Sequence, residues 1–79
     1  MARVLLFGRL ADLAGWRERE VAATSLTELR SFLAAEDADL GAALAGKGVQ
    51  IAVDQAIVRG EATLAARSEV AFLPPMSGG

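Results

Sequence analysis

Seventy-nine residues, 53% of them hydrophobic, make a single domain near the lower limit for folding alone, too apolar for a disordered chain. The net charge is −2, and the one Lys and seven Arg are scattered, which speaks against nucleic acid and anionic membrane surfaces as partners. With no His, Cys or Tyr, the chain lacks the commonest general base, a thiol nucleophile, disulfides and any zinc set built from His and Cys.

A self-contained enzyme would therefore have to work with carboxylates, Arg, Lys47 and hydroxyls. The first apolar run, Val4 to Phe7, stops at Gly8-Arg9 and is too short for a secretory signal. Nothing approaches the roughly 20 apolar residues of a membrane span. The expected location is cytoplasmic.

Arg3 to Phe7 reads as a strand, with Val4 and Leu6 on one face and Arg3, Leu5 and Phe7 on the other. A short helix over Leu10 to Ala14 should stop at Gly15. Trp16 to Val21 alternates charges, as an exposed edge strand does to discourage mispairing. Ser25-Leu26-Thr27-Glu28 has the form of a capping box, so the main helix should begin there. Leu26, Leu29, Phe32 and Leu33 then share one helical face. Glu36, Asp37 and Asp39 interrupt that helix, and Leu40 with Leu44 suggests a second helical turn.

Gly46-Lys47-Gly48 is expected to be a turn; the spacing and Ser/Thr of a phosphate loop are absent. Val49, Ile51 and Val53 alternate as a strand, and Asp54-Gln55 can turn it into Ala56-Ile57-Val58. Ala65 to Ser68 is a connection, and Glu69 to Leu73 is the last strand, with Val70 and Phe72 on one face and Ala71 and Leu73 on the other. Two hairpin-like pairs flank one long helix. The economical packing is α+β: a mixed sheet wrapped over the main helix, a β-grasp or ubiquitin-like domain over 1–73, with an extended tail over 74–79.

Two features point to function. The first is the tail, Pro74-Pro75-Met76-Ser77-Gly78-Gly79. Proline has no N–H for a ladder, so the pair ends the sheet and extends the chain stiffly. The final glycines lack Cβ and suit a channel too narrow for side chains. A terminal carboxylate is ionised at neutral pH and a poor electrophile, so acyl chemistry on it needs prior activation, most simply adenylation. Nothing in the chain suggests a nucleotide site; a partner would perform that step. The second feature is the outer sheet face, where Leu5, Phe7, Ala71 and Leu73, with Ile57 beside them, stand in place of polar residues. Either the chain covers some of them itself, or they form a docking patch.

The chain resembles the small, sulfur-carrying subunits of molybdopterin synthase, a ubiquitin-like family, over essentially its whole length. The resemblance rests on Val4 to Leu10 with Ala14-Gly15, on Ser25 to Leu29, on Ile51-Ala52-Val53-Asp54, and above all on Glu69 to Gly79. Departures fall in two turns, at Ala66-Arg67-Ser68 and at Asp54-Gln55. The family pattern implies that an E1-like enzyme adenylates the Gly79 carboxylate with ATP and that the product becomes a thiocarboxylate. It implies that the tail then enters the large synthase subunit, in a heterotetramer, and gives sulfur to cyclic pyranopterin monophosphate. Gly79 would carry the sulfur and Gly78 would give clearance. Phe7, Ile57, Leu73, Pro74, Pro75, Met76 and Ser77 would meet the large subunit or the activating enzyme. No cofactor would be bound by this chain, and the catalytic pocket would lie on the large subunit. The alternatives are carriers for thiamine or tRNA thiolation, a ubiquitin-like protein modifier, or a binding module with an inert tail.

Overall fold

The computed structural model describes residues 1–75. Its elements run β1 (Ala2–Leu6), α1 (Arg9–Ala14), β2 (Glu18–Val21), α2 (Leu26–Glu36), α3 (Ala38–Leu44), β3 (Gln50–Val53), β4 (Ala56–Val58) and β5 (Glu69–Leu73). The five strands form one sheet in the order β2-β1-β5-β3-β4. The first and last strands lie side by side in parallel at its centre, and the other pairings are antiparallel. This is the mixed β-grasp sheet that the order of elements led one to expect.

The core follows from strand alternation. Ala2, Val4 and Leu6 of β1, with Val70 and Phe72 of β5, point inward and are almost fully buried. Leu26, Leu29 and Leu33 of α2 and Leu40 and Leu44 of α3 close over them. Phe32 departs from the expected face: it is 41% exposed. Its ring instead lies 5.6 Å from the Arg19 guanidinium, which stands the same distance over Trp16 and binds Glu36 with two contacts of 2.6 and 2.7 Å. The ring thus packs on a cation that joins β2 to the end of α2.

The helix start forms much as its residues dictate. Ser25 Oγ accepts from the Glu28 N–H at 3.1 Å, while the Glu28 carboxylate reaches back to the Thr24 N–H at 2.6 Å, one residue earlier than a capping box requires. Glu61 adds a third acceptor, taking the Thr27 N–H at 3.0 Å and the Ala62 N–H at 2.9 Å. Asp37 ends α2 and begins α3: its N–H donates to Leu33 O at 3.0 Å and its carboxylate accepts from the Leu40 N–H at 3.1 Å. The acidic run therefore breaks one helix by starting another.

Two boundaries are shorter than the alternation suggested. β1 ends at Leu6, so Phe7 lies just beyond it, and β2 begins at Glu18, leaving Trp16 half-buried before the strand. Leu64, in the stretch after β4, is 5% exposed and joins the core, anchored by its N–H to Thr24 O at 2.9 Å.

Candidate functional site: the outer sheet face and the root of the tail

Register places the outer face row by row. Leu5 of β1 stands beside Ala71 of β5, Ala71 beside Ala52 of β3, and Ala52 beside Ile57 of β4. Four apolar side chains thus cross the sheet in a line. The two alanines inside it are only 8% exposed each, whereas Ile57 at its end is 50% exposed. Ala71 is accordingly a buried filler and not the exposed patch member its alternation suggested. Ala52, which alternation of Val49, Ile51 and Val53 leaves facing outward, completes the row.

Leu73, half-buried, and Phe7, 43% exposed, belong to the next row toward the end of the sheet, since Leu6 pairs with Phe72. On the other side the apolar strip meets charge. Arg3 pairs with Glu20 and Glu69 in register, and its Nε donates to Glu18 at 2.6 Å. The face therefore grades from charged residues, across an apolar strip, to Phe7 and Leu73 beside the point where the chain leaves the sheet.

That exit point is shaped by two turns. Gly8, at φ +56°, and Gly48, at φ +84°, both adopt the left-handed region that glycine tolerates best. A Cβ on Gly8 would lie 3.1 Å from Pro74 Cγ, and one on Gly48 only 2.7 Å from Pro75 Cβ. The two prolines are thus seated one against each glycine turn. Arg9, Leu10, Ala43, Gly46, Lys47 and Val49 complete a shallow cleft of about 210 Å³ beside Pro75. Proline supplies stiffness, and the absent glycine side chains let the turns close on it.

The structure therefore brings Phe7, Leu73, Pro74 and Pro75 together at one end of the sheet, with Ile57 at the outer edge of the same face. Met76, Ser77, Gly78 and Gly79 lie outside the described residues. The cradle formed by Gly8 and Gly48 was not foreseen; the only sequence trace of it is a glycine at each of two turns. Among the described residues, no group of three or more His, Cys, Asp or Glu is gathered to hold a metal ion, and no helix is long and apolar enough to cross a membrane.

Comparison with known proteins agrees with this layout. The chain is 36% identical, over the full length of both chains, to the molybdopterin synthase sulfur carrier subunit of Escherichia coli. Two solved structures share the fold: small archaeal modifier protein 1 of Methanosarcina acetivorans, with a TM-score of 0.86 at 21% identity over 99% of this chain and 95% of that one, and its counterpart from Haloferax volcanii, with a TM-score of 0.80 at 23% identity over 99% and 98%. The ThiS family pattern matches residues 4–79, so that with the full-length likeness to a sulfur carrier subunit the chain belongs to the ThiS family.

Proposed function

We propose that this chain is the sulfur carrier subunit of a molybdopterin synthase and that Gly79 is its working group. The observation that carries the reading is the continuity of the apolar strip with the root of the tail. Phe7 and Leu73 stand where β5 hands the chain to Pro74 and Pro75, so a partner that covers the strip receives the tail in a fixed direction. Four residues beyond Pro75, at a maximum of about 3.3–3.6 Å each, could span at most about 13–14 Å, enough to bring a terminal carboxylate into a buried pocket.

The chemistry divides between this chain and its partners. An E1-like enzyme joins the Gly79 carboxylate to AMP, releasing pyrophosphate from ATP. A sulfur nucleophile then displaces AMP and leaves a thiocarboxylate. In the large synthase subunit that sulfur passes to cyclic pyranopterin monophosphate, water restores the carboxylate, and the emptied carrier leaves for another round. Gly78 has no side chain to obstruct the pocket wall, and Phe7, Ile57 and Leu73 are the docking contacts. The setting is the cytoplasm, where activating enzyme, ATP and large subunit meet.

The test is intact-mass analysis of the chain after co-expression with its activating enzyme and a sulfur source. The expected result is a gain equal to the difference between a sulfur and an oxygen atom, mapped to Gly79. An unchanged mass with active partners overturns the reading. Native purification with a thiazole synthase would assign the same tail chemistry to thiamine synthesis, and conjugates on lysines of other proteins would make the chain a modifier.

A further inference from the structure

The chain carries a net negative charge, yet its cations are not evenly placed around the sheet. The carboxyl ends of β1 and β5 lie together because the two strands are parallel, and the tail leaves from that end. Four cations gather there. Arg9 opens α1 directly after Gly8, and Lys47 lies in the turn before β3; both line the cleft beside Pro75. Arg17 stands immediately before β2, its carbonyl accepting from the Leu6 N–H at 2.8 Å. Arg59 directly follows Val58, whose partner Ile51 pairs in turn with Phe72.

All four are exposed, and among the described residues none lies within ion-pair distance of a carboxylate. Two acids share this end: Glu18 is committed to Arg3 at 2.6 Å, and Asp12 lines a cleft with Arg17. Around the opposite end of the sheet stand Glu20, Asp54 and Glu69, by register, with Glu61 and Glu28 at the start of α2. Arg3, Arg67 and the Met1 ammonium share that opposite end with these acids, whereas the four cations at the tail end face few carboxylates.

We propose that Arg9, Arg17, Lys47 and Arg59 form a cationic collar that docks on an acidic rim surrounding the mouth of the partner pocket into which the tail is threaded. This rests on the carrier reading above and specifies the partner's surface. Geometry supports it. Arg17 and Arg59 flank the outermost strands of a five-stranded sheet, about 19 Å apart at about 4.8 Å per strand. The four residues from Met76 to Gly79 could span at most about 13–14 Å, whatever their conformation. The end of the tail therefore cannot be buried deeply unless this end of the sheet comes down onto the partner. Four cations without an ion-pair partner among the described residues, facing a neutral or basic rim, would be repelled or lie desolvated without compensation, whereas an acidic rim attracts them at a distance and sets the orientation before contact.

The test measures association and dissociation rates between the full chain and its cognate large subunit, without nucleotide, at low ionic strength and at about 1 M salt, where the screening length is about 3 Å. Arg9→Gln with Lys47→Gln, and separately Arg17→Gln with Arg59→Gln, should each lower the association rate at low salt about three- to tenfold and flatten its salt dependence. Arg30→Gln with Arg67→Gln, a matched charge change on α2 and in the stretch before β5, away from the tail end, should leave that rate unchanged or raise it. Thermal unfolding of each variant checks that the fold is intact. Equal association rates for both collar pairs and the control pair overturn the collar. So does a dependence on the collar that emerges only when ATP is added, which would assign the cations to nucleotide phosphates. If the unaltered chain neither binds the large subunit nor gains sulfur mass, the carrier reading itself fails; if it does both while the collar pairs bind as well as it does, only the collar fails.

Discussion

Gly48 and Pro75 are packed so closely that the backbone of one turn touches the ring of the other residue: a Cβ on Gly48 would stand 2.7 Å from Pro75 Cβ. The tail is held at its root by an absence of side chain. Gly48→Ala should therefore act twice. Left-handed φ of +84° costs an alanine about 1–2 kcal/mol, and the new methyl pushes Pro75 from its seat. Denaturant unfolding reads the first effect, and the rate of the proposed Gly79 adenylation at saturating enzyme reads the second. Gly41→Ala is the control. Its Cβ would lie 2.5 Å from Ala34 Cβ, on the side of α3 that meets α2 and not against Pro75. It should cost about 1–3 kcal/mol by overpacking and leave the adenylation rate of the folded fraction unchanged. Equal rates for both variants would show that the Gly48 seat does not orient the tail.

The hairpin between β3 and β4 holds another strained pair. Asp54 and Gln55 have φ of +50° and +72°, a turn usually built from Asn-Gly. Asp54 is retained there by its contacts: its carboxylate accepts from the Glu69 N–H at 2.9 Å, and its own N–H donates to Glu69 O at 2.8 Å. Gln55 has no such contact among the described residues. Gln55→Gly should relieve the strain, offset in part by the freer unfolded chain, for a net gain of about 0.5 kcal/mol. The melting temperature should rise by about 2–4 °C in a domain of this size. A fall would mean that Gln55 makes a stabilising contribution its backbone geometry conceals.

Acid should weaken the fold through the start of α2. Glu61 is held below the ordinary carboxylate range, chiefly by hydrogen bonding from Thr27 and next by the Ala62 N–H. Glu36 is also depressed, first by its hydrogen bond with Arg19. A carboxylate whose folded pKa is lowered contributes stability that is present above its unfolded pKa and is lost as pH falls through the folded value. Stability should hold at neutral pH and decline below about pH 4.3, the usual glutamate value. In Glu61→Gln the stability curve should lie lower at neutral pH and be flatter through that acid window, as followed by urea midpoints across pH. Parallel curves for variant and parent would remove Glu61 from the account.

The fold was legible because the strongest signals in the chain are local. Alternation at Val4 and Leu6, the Ser25 cap, and the glycine after Ala14 each depend on neighbours within a few residues. What escaped depends on partners distant in sequence. Phe32 has the spacing of a core residue, but it leaves the core for Arg19, some thirteen positions earlier, and nothing in α2 marks that choice. Ala71 reads as exposed by alternation but is only 8% exposed in the central strand, where Leu5 and Ala52 stand beside it in register. The proline seats follow the same rule, since Gly8 and Pro74 are brought together only by the parallel pairing of the first and last strands.

The apolar strip makes the last prediction, because its members differ in what they contact. Ile57 is half exposed at one end of the row, while Ala71 is 8% exposed in the middle. Ile57→Asp removes an apolar contact from a surface and buries nothing, so the folded chain should change by no more than about 0.5 kcal/mol. If Ile57 is a docking contact, the same change should weaken binding to the large subunit by about 1–3 kcal/mol, read by calorimetric titration. Ala71→Asp places a charge at a position only 8% exposed, between Leu5 and Ala52 in register, and should destabilise the fold itself by about 2 kcal/mol or more. The pair separates docking from architecture on a single face. Should Ile57→Asp bind with unchanged affinity while remaining folded, the strip would lose its role as a docking surface and the tail would have to be directed by the collar and the proline seats alone.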